Sequence, residues 1–84
     1  MTLKIEKYGD ENSTTLRLVG RMQVEHLPEL EKQIRESSKI VLDLEELNLV
    51  DVDGVRFLGS CEAAGVTLVN CCHYIRDWIG KERD

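Results

Sequence analysis

Leu47-Asn48-Leu49-Val50-Asp51-Val52-Asp53-Gly54-Val55-Arg56-Phe57-Leu58 is the stretch on which the reading of this chain turns. Ahead of it runs Ile40-Val41-Leu42, ending in Asp43-Leu44, a short apolar run that predicts a buried strand. From Asp51 the period changes. Val52, Val55, Leu58 and Cys61, with Phe57 and Ala64 beside them, fall on one side of a helix. Asp51 suits the N-cap, where a carboxylate accepts orphan N–H groups of the first turn. Gly65 suits the residue just past the helix end. A strand whose carboxyl end feeds a helix start is where open α/β sheets place their working surface. Two carboxylates and a glycine gather at this corner.

Working outward, Lys39 to Leu44 is the strand, and burial on both faces is expected from its apolar run. Glu45 to Val50 reads as a connection whose apolar members tuck against the core. Upstream, Leu3-Lys4-Ile5-Glu6-Lys7-Tyr8 and Thr14-Thr15-Leu16-Arg17-Leu18-Val19 alternate as half-exposed strands. The turn cluster Gly9 to Ser13 joins them into a hairpin, and the second strand stops at Gly20. Val24, Leu27, Leu30 and Ile34 then recur at helical spacing. Pro28 is tolerable only in a first turn, so this helix starts near Val24 to His26 and ends near Ser37-Ser38. Downstream, Val66 to Asn70 is a last strand. Tyr74, Ile75, Trp78 and Ile79 share one face of a closing helix, and Gly80 to Asp84 is expected to fray.

The element order is β-β-α-β-α-β-α. With right-handed crossovers this predicts a four-stranded mixed α/β sheet covered largely on one face by helices. No linker, repeat or low-complexity segment divides residues 1–84, so one domain is expected.

The bulk numbers exclude several functions. At 84 residues, folding buries only about 60–65% of the unfolded surface, which leaves no room for a deep pocket or a dinucleotide. A net charge of −5 opposes both phosphate-backbone binding and anionic membrane surfaces. No apolar run approaches the ~20 residues of a membrane span, and the charged, alternating start is not a signal peptide. Cys61, Cys71 and Cys72 are an odd set with two adjacent, read as reduced thiols of a cytosolic protein.

Three sharper readings meet weak support. Asp51-Val52-Asp53-Gly54 looks like the Asp-x-Asp-Gly signature of haloacid-dehalogenase-type phosphatases, with Asp51 as nucleophile, Asp53 as general acid and Mg²⁺ beside them. The acids after Gly54, namely Glu62, Asp77, Glu82 and Asp84, are spread over helix and tail and form no second metal pair. Asp43, Asp51 and Asp53 could also frame a receiver-like Mg²⁺ pocket, but no later strand supplies its lysine. Cys71-Cys72-His73 lacks further zinc ligands at useful spacing, with His26 the only other histidine. Trp78 reads as a core or edge anchor. No catalytic residue, metal or cofactor is therefore expected.

The full pattern resembles the STAS domain, named for sulfate transporters and anti-sigma factor antagonists. It is carried by a hairpin ending in Gly20-Arg21-Met22, a helix with Pro28-Glu29-Leu30, the strand Ile40-Val41-Leu42-Asp43-Leu44, and Leu49-Val50-Asp51-x-x-Gly54-Val55-x-x-Leu58. The resemblance covers nearly the whole chain. In bacterial antagonists the motif reads Asp-Ser-Ser-Gly, and the serine before the glycine is phosphorylated by a kinase that is also the anti-sigma factor. Matched position by position, Asp51 and Gly54 are kept, while Val52 and Asp53 replace the two hydroxyls. A phosphoserine would bring roughly −1.5 to −2 charges to the helix start. Asp53 holds a permanent single negative charge and cannot be phosphorylated by a serine kinase. It either mimics the phosphorylated state or serves a different interface, and Arg56, one turn on, is placed to pair with it.

The resemblance thus implies a non-enzymatic, cytoplasmic bacterial interaction module that regulates transcription or signalling. The partner it implies is an anti-sigma factor or serine kinase of ATPase fold. Homodimerisation is allowed, and neither nucleic acid nor membrane insertion is expected. The partner surface would be Asp51, Asp53, Gly54, Arg56 and Leu58, with Gly54 letting a partner backbone approach. An accessory role in a lipid or anion transport complex is the alternative, and a small Mg²⁺-dependent phosphatase the remote one. The late strand implied by the resemblance is not seen, which leaves a sheet edge open to pairing.

Overall fold

The alternation in the first third does form a hairpin. In the structure, a computed structural model that describes residues 3–9, 12–36 and 39–82, β1 (Leu3–Gly9) pairs antiparallel with β2 (Thr14–Met22). Their register runs from Leu3 opposite Gly20 to Gly9 opposite Thr14. The turn expected at Gly9 to Ser13 is in part, at Asp10 and Glu11, outside the described residues. β2 does not stop at Gly20. It continues to Met22, with Gly20 at φ 105°, a conformation that favours glycine.

The extra length of β2 has a use. Its first half pairs in parallel with β3 (Ile40–Asp43) and its second half with β4 (Leu47–Val50). Nine residues span about 30 Å, enough to hold two partner segments end to end. β5 (Thr67–Val69) adds to the outer side of β3, also in parallel. The sheet order is β1-β2-β3-β5, with β4 beside the far end of β2. The sheet therefore has five strands rather than the expected four. The additional strand is the segment read as a connection.

A bulge explains why β4 escapes a pattern reading. Gly20 pairs with Leu47 and Arg21 with Leu49, so Asn48 is an extra residue on β4. Strict alternation would bury Leu47 and Leu49. The inserted residue instead buries Leu47 and Val50 and leaves Asn48 and Leu49 exposed. The expectation that all the apolar members here tuck inward fails at Leu49 for this reason.

One face of the sheet carries the core. Leu16, Leu18 and Met22 of β2 and Ile40 and Leu42 of β3 point to it, with Leu3, Ile5 and Leu68 packed at its margins. The opposite face shows Lys4, Glu6, Tyr8, Thr15, Arg17 and Val41, all exposed or half-buried. β3 is thus buried on one face only, against the expectation of two, because among the described residues no helix covers its second face.

A 3-10 turn at Val24–His26 precedes α1 (Leu27–Arg35), where Pro28 sits in the first turn. Leu30 is buried and Leu27 and Ile34 are partly so, but Val24 is exposed. Ser37 and Ser38, the expected end of this helix, lie outside the described residues. α2 (Val52–Ala63) buries Val55, Leu58 and Cys61 as expected, while Val52 and Ala64 face solvent. It closes at Gly65, φ 103°, where the Gly65 N–H donates to Glu62 O and the Val66 N–H to Cys61 O. That pair of bonds satisfies carbonyls that the helix end would leave orphaned.

α3 (His73–Glu82) buries Ile75 and Ile79 and rests Trp78 on the core margin. Tyr74, expected on the same face, is half exposed. Of the stretch expected to fray, Gly80, Lys81 and Glu82 remain helical, and Arg83 and Asp84 lie outside the described residues. Two ion pairs clamp α3 to α2. Arg76 Nη1 donates to both Glu62 oxygens at 2.8 and 2.9 Å, and Arg56 Nε donates to Glu82 Oε1 at 2.9 Å.

Candidate functional site

Asp51 is the fixed point of the corner. Its Oδ1 accepts the Gly54 N–H at 2.8 Å, and its Oδ2 accepts the Val24 N–H at 3.3 Å. The backbone carbonyl of the same residue accepts from the Val55 N–H at 2.9 Å. One carboxylate therefore caps α2 and ties the end of β2 and the 3-10 turn to it. A cap of this kind is worth about 1 kcal/mol. Both oxygens face backbone donors, so Asp51 is poorly placed as a phosphatase nucleophile.

Gly54 works inward. A Cβ here would stand 2.4 Å from Val50 Cγ2 and 3.2 Å from Met22 Sδ. The missing side chain lets α2 descend onto the ends of β2 and β4. It does not open a path for a partner backbone, because Gly54 is buried. Leu58 is wholly buried in the core and likewise cannot meet a partner. These two members of the expected surface are internal.

Asp53 and Arg56 are exposed. Asp53 stands in the first turn of α2, where the helix dipole favours a carboxylate. Among the described residues it has no ion pair and no side-chain hydrogen bond. The expected pairing with Arg56 is replaced by the Arg56–Glu82 bridge to α3. Asp53 therefore holds a carboxylate at the helix start with no countercharge or hydrogen-bond donor on it among the described residues.

The acids do not assemble into a metal pocket. Asp43, at the end of β3, accepts at Oδ1 from Asn70 Nδ2 and from the Glu45 N–H, each at 3.1 Å. The Asn70 bond chiefly, then the Glu45 amide, hold this carboxyl below its usual range, with burial opposing and Arg17 assisting. It staples the ends of β3 and β5. Among the described residues no three His, Cys, Asp or Glu side chains converge as metal ligands. His26 Nδ1 accepts from the Gln23 N–H at 3.1 Å, and exposed His73 lies 3.8 Å from Asp77. The three thiols are free, and burial, with the Glu31 charge adding to it, raises that of Cys61 to about 11.

Sequence reasoning missed three residues here. Val24, Leu49 and Val52 are 55%, 48% and 37% exposed and come from three elements that meet around Asp51. Periodicity sets Val24 and Val52 on buried stripes, and the apolar run sets Leu49 against the core. A signal existed only for Leu49. Val50-Asp51 must enter the helix with Val50 inward, and strict alternation from Leu47 cannot deliver that.

The backbone matches the structure of the anti-sigma factor antagonist SpoIIAA in its unphosphorylated form with a TM-score of 0.68. The alignment covers 90% of this chain and 79% of that one, at 20% sequence identity. The fold is STAS-like. A weaker likeness, TM-score 0.48 at 15% identity, covers 98% of this chain and 75% of an uncharacterized DUF3478-family protein with a SpoIIAA-like fold from Shewanella loihica PV-4. No family model and no curated protein matches the sequence. The mixed α/β architecture expected from the residues is therefore that of a STAS-like fold, with five strands where four were expected.

Proposed function

We propose that this chain is a non-enzymatic interaction module of the anti-sigma factor antagonist kind, acting in a bacterial cytoplasm by contact. Its partner class is an anti-sigma factor or serine kinase of ATPase fold, and its role is the regulation of transcription or signalling. One observation supports this above the rest. Asp53 is exposed and unpaired among the described residues on the first turn of α2, in a STAS-like fold, and the resemblance of the motif assigns it the place of the phosphorylated serine. Asp51, half-buried, sets the geometry, and Arg56 borders the surface.

The charge at position 53 is permanent, so contact here is not toggled by a serine kinase. The test uses purified ATPase-fold anti-sigma kinases from the same genome, with calorimetry and radiolabelled ATP. Wild type takes no label, and Asp53→Ser takes label from the cognate kinase. Weaker binding by Asp53→Ser identifies a contact charge, and tighter binding identifies a fixed phosphoserine-like state. Binding of neither form to any kinase in the panel sinks the proposed partner class.

A further inference from the structure

Five large apolar side chains stand open to solvent among the described residues: Tyr8, Val24, Leu49, Val52 and Tyr74. Scattered single exposures are ordinary, but a cluster marks an interaction surface. Three of the five gather at one corner. Val24 opens the 3-10 turn and its N–H reaches Asp51 Oδ2. Leu49 lies two residues before Asp51, turned outward by the bulge at Asn48. Val52 is the first residue of α2. A local irregularity that exposes a leucine costs stability, and bulges of this kind recur where a side chain is re-aimed for function.

We propose that Val24, Leu49 and Val52 form the apolar centre of a docking surface whose occupant is a partner protein with an apolar hollow rimmed by Arg or Lys. This rests on the contact reading above and specifies the partner's chemistry. The adjoining recess, lined by Arg21, Met22, Gln23, Leu49, Val50 and Asp51, holds about 120 Å³. Ligand pockets run to about 300–1,000 Å³, so a small molecule is not the occupant. The rim selects among macromolecules. Asp53 and Glu25 are exposed and carry no ion pair among the described residues, and the chain's net charge is −5. A second copy meeting this patch face to face would bring the same two acids, offset on each side by Arg21 alone of the border residues, together with a second net charge of −5, so the balance is repulsive. Anionic lipid would be repelled in the same way. A basic-rimmed protein surface is attracted, and steered, by the same charges. A specific interface buries about 800 Å² on each side, so the three apolar residues are its centre and Asp53, Glu25 and Arg21 its border.

The experiment takes whichever of wild type and Asp53→Ser binds a kinase in the panel above and adds Leu49→Ser, Val52→Ser and Tyr8→Ser. Leu49→Ser is expected to weaken binding at least tenfold and Val52→Ser several-fold. Tyr8→Ser, on β1 beside the opposite end of β2, leaves it within twofold. Each replaced side chain is one-third to one-half exposed, so every variant keeps a cooperative melt with a midpoint within about 8 °C of the parent. Binding by Leu49→Ser within twofold of the parent overturns the surface while leaving the contact reading intact. So does an equal loss in Tyr8→Ser. If no kinase binds, benzoylphenylalanine in place of Leu49 or of Tyr8 decides the surface separately in intact cells. Adducts from position 49 that vanish with Val52→Ser, and none from position 8, retain it. Adducts from position 8 alone, or from neither position, overturn it.

Discussion

Asp51 and Asp53 are two residues apart at the start of α2, yet the fold uses them in opposite ways. Asp51 holds two backbone N–H groups on its two oxygens and is half-buried. Asp53 is exposed and holds nothing among the described residues. The same division runs through their neighbours. Gly54, Val50 and Met22 pack on the inner side of the corner, while Leu49, Val24 and Val52 stand on the outer side. The inner half makes the fold, and the outer half is the surface proposed for contact. Function in this small domain is therefore to be sought in what the core does not need.

That division predicts a graded set of stability effects, measured by urea denaturation. The largest should come from deep on the inner side. Leu58→Ala opens a cavity at a wholly buried site and should cost about 2–5 kcal/mol. Gly54→Ala comes next, at about 1–3 kcal/mol, because its Cβ meets Val50 and Met22. Gly80→Ala is its control. Nothing lies within 4 Å of that added methyl, and the change should stabilise α3 by about 0.5–1 kcal/mol. If both glycine variants moved stability alike, Gly54 would have no special place in the packing.

The two aspartates should separate more finely. Asp51→Ala loses the cap and should cost about 0.5–2 kcal/mol. Asp53→Ala loses only a dipole contact and should cost about 0.3–1 kcal/mol or less in salt. Equal costs would erase the distinction between inner and outer carboxylate.

The smallest effect is pH-dependent and tests a third carboxylate. Asp43 has its pKa lowered in the folded state, so its contribution is present above the unfolded pKa and is lost as pH falls through the folded one. Asn70→Gly removes the chief cause while keeping the left-handed φ of 55° accessible. In an NMR titration the Asp43 carboxyl should move back up toward the ordinary range. The stability difference between wild type and variant should shrink in acid. An unmoved titration would mean that Asn70 does not hold Asp43.

The inner half was the more legible part in the sequence. Its residues obey periodicity: the hairpin alternates, α2 repeats Val55, Leu58 and Cys61, and Asp51 and Gly65 have the chemistry of helix ends. The outer half was hidden because it breaks periodicity. One inserted residue at Asn48 flips Leu49 outward, and a pattern reading turns strand β4 into a loop. Gly54 was legible as important but not as to why. The motif marks a close approach, and only the contacts with Val50 and Met22 show that it is internal. The partner of Arg56 was out of reach for a similar reason. Glu31–Arg35 shows that an i,i+4 pair does form here on α1, but the Arg56 bridge runs to Glu82, 26 residues away.

The most direct measurement is calorimetric affinity for the cognate kinase with Asp53→Asn beside wild type, together with each protein's melting midpoint. A contact charge held outside the core predicts at least a tenfold change in Kd, about 1.4 kcal/mol, with the midpoint unchanged within a few degrees. An unchanged Kd, or a fall in midpoint as large as that of Asp51→Ala, would contradict it.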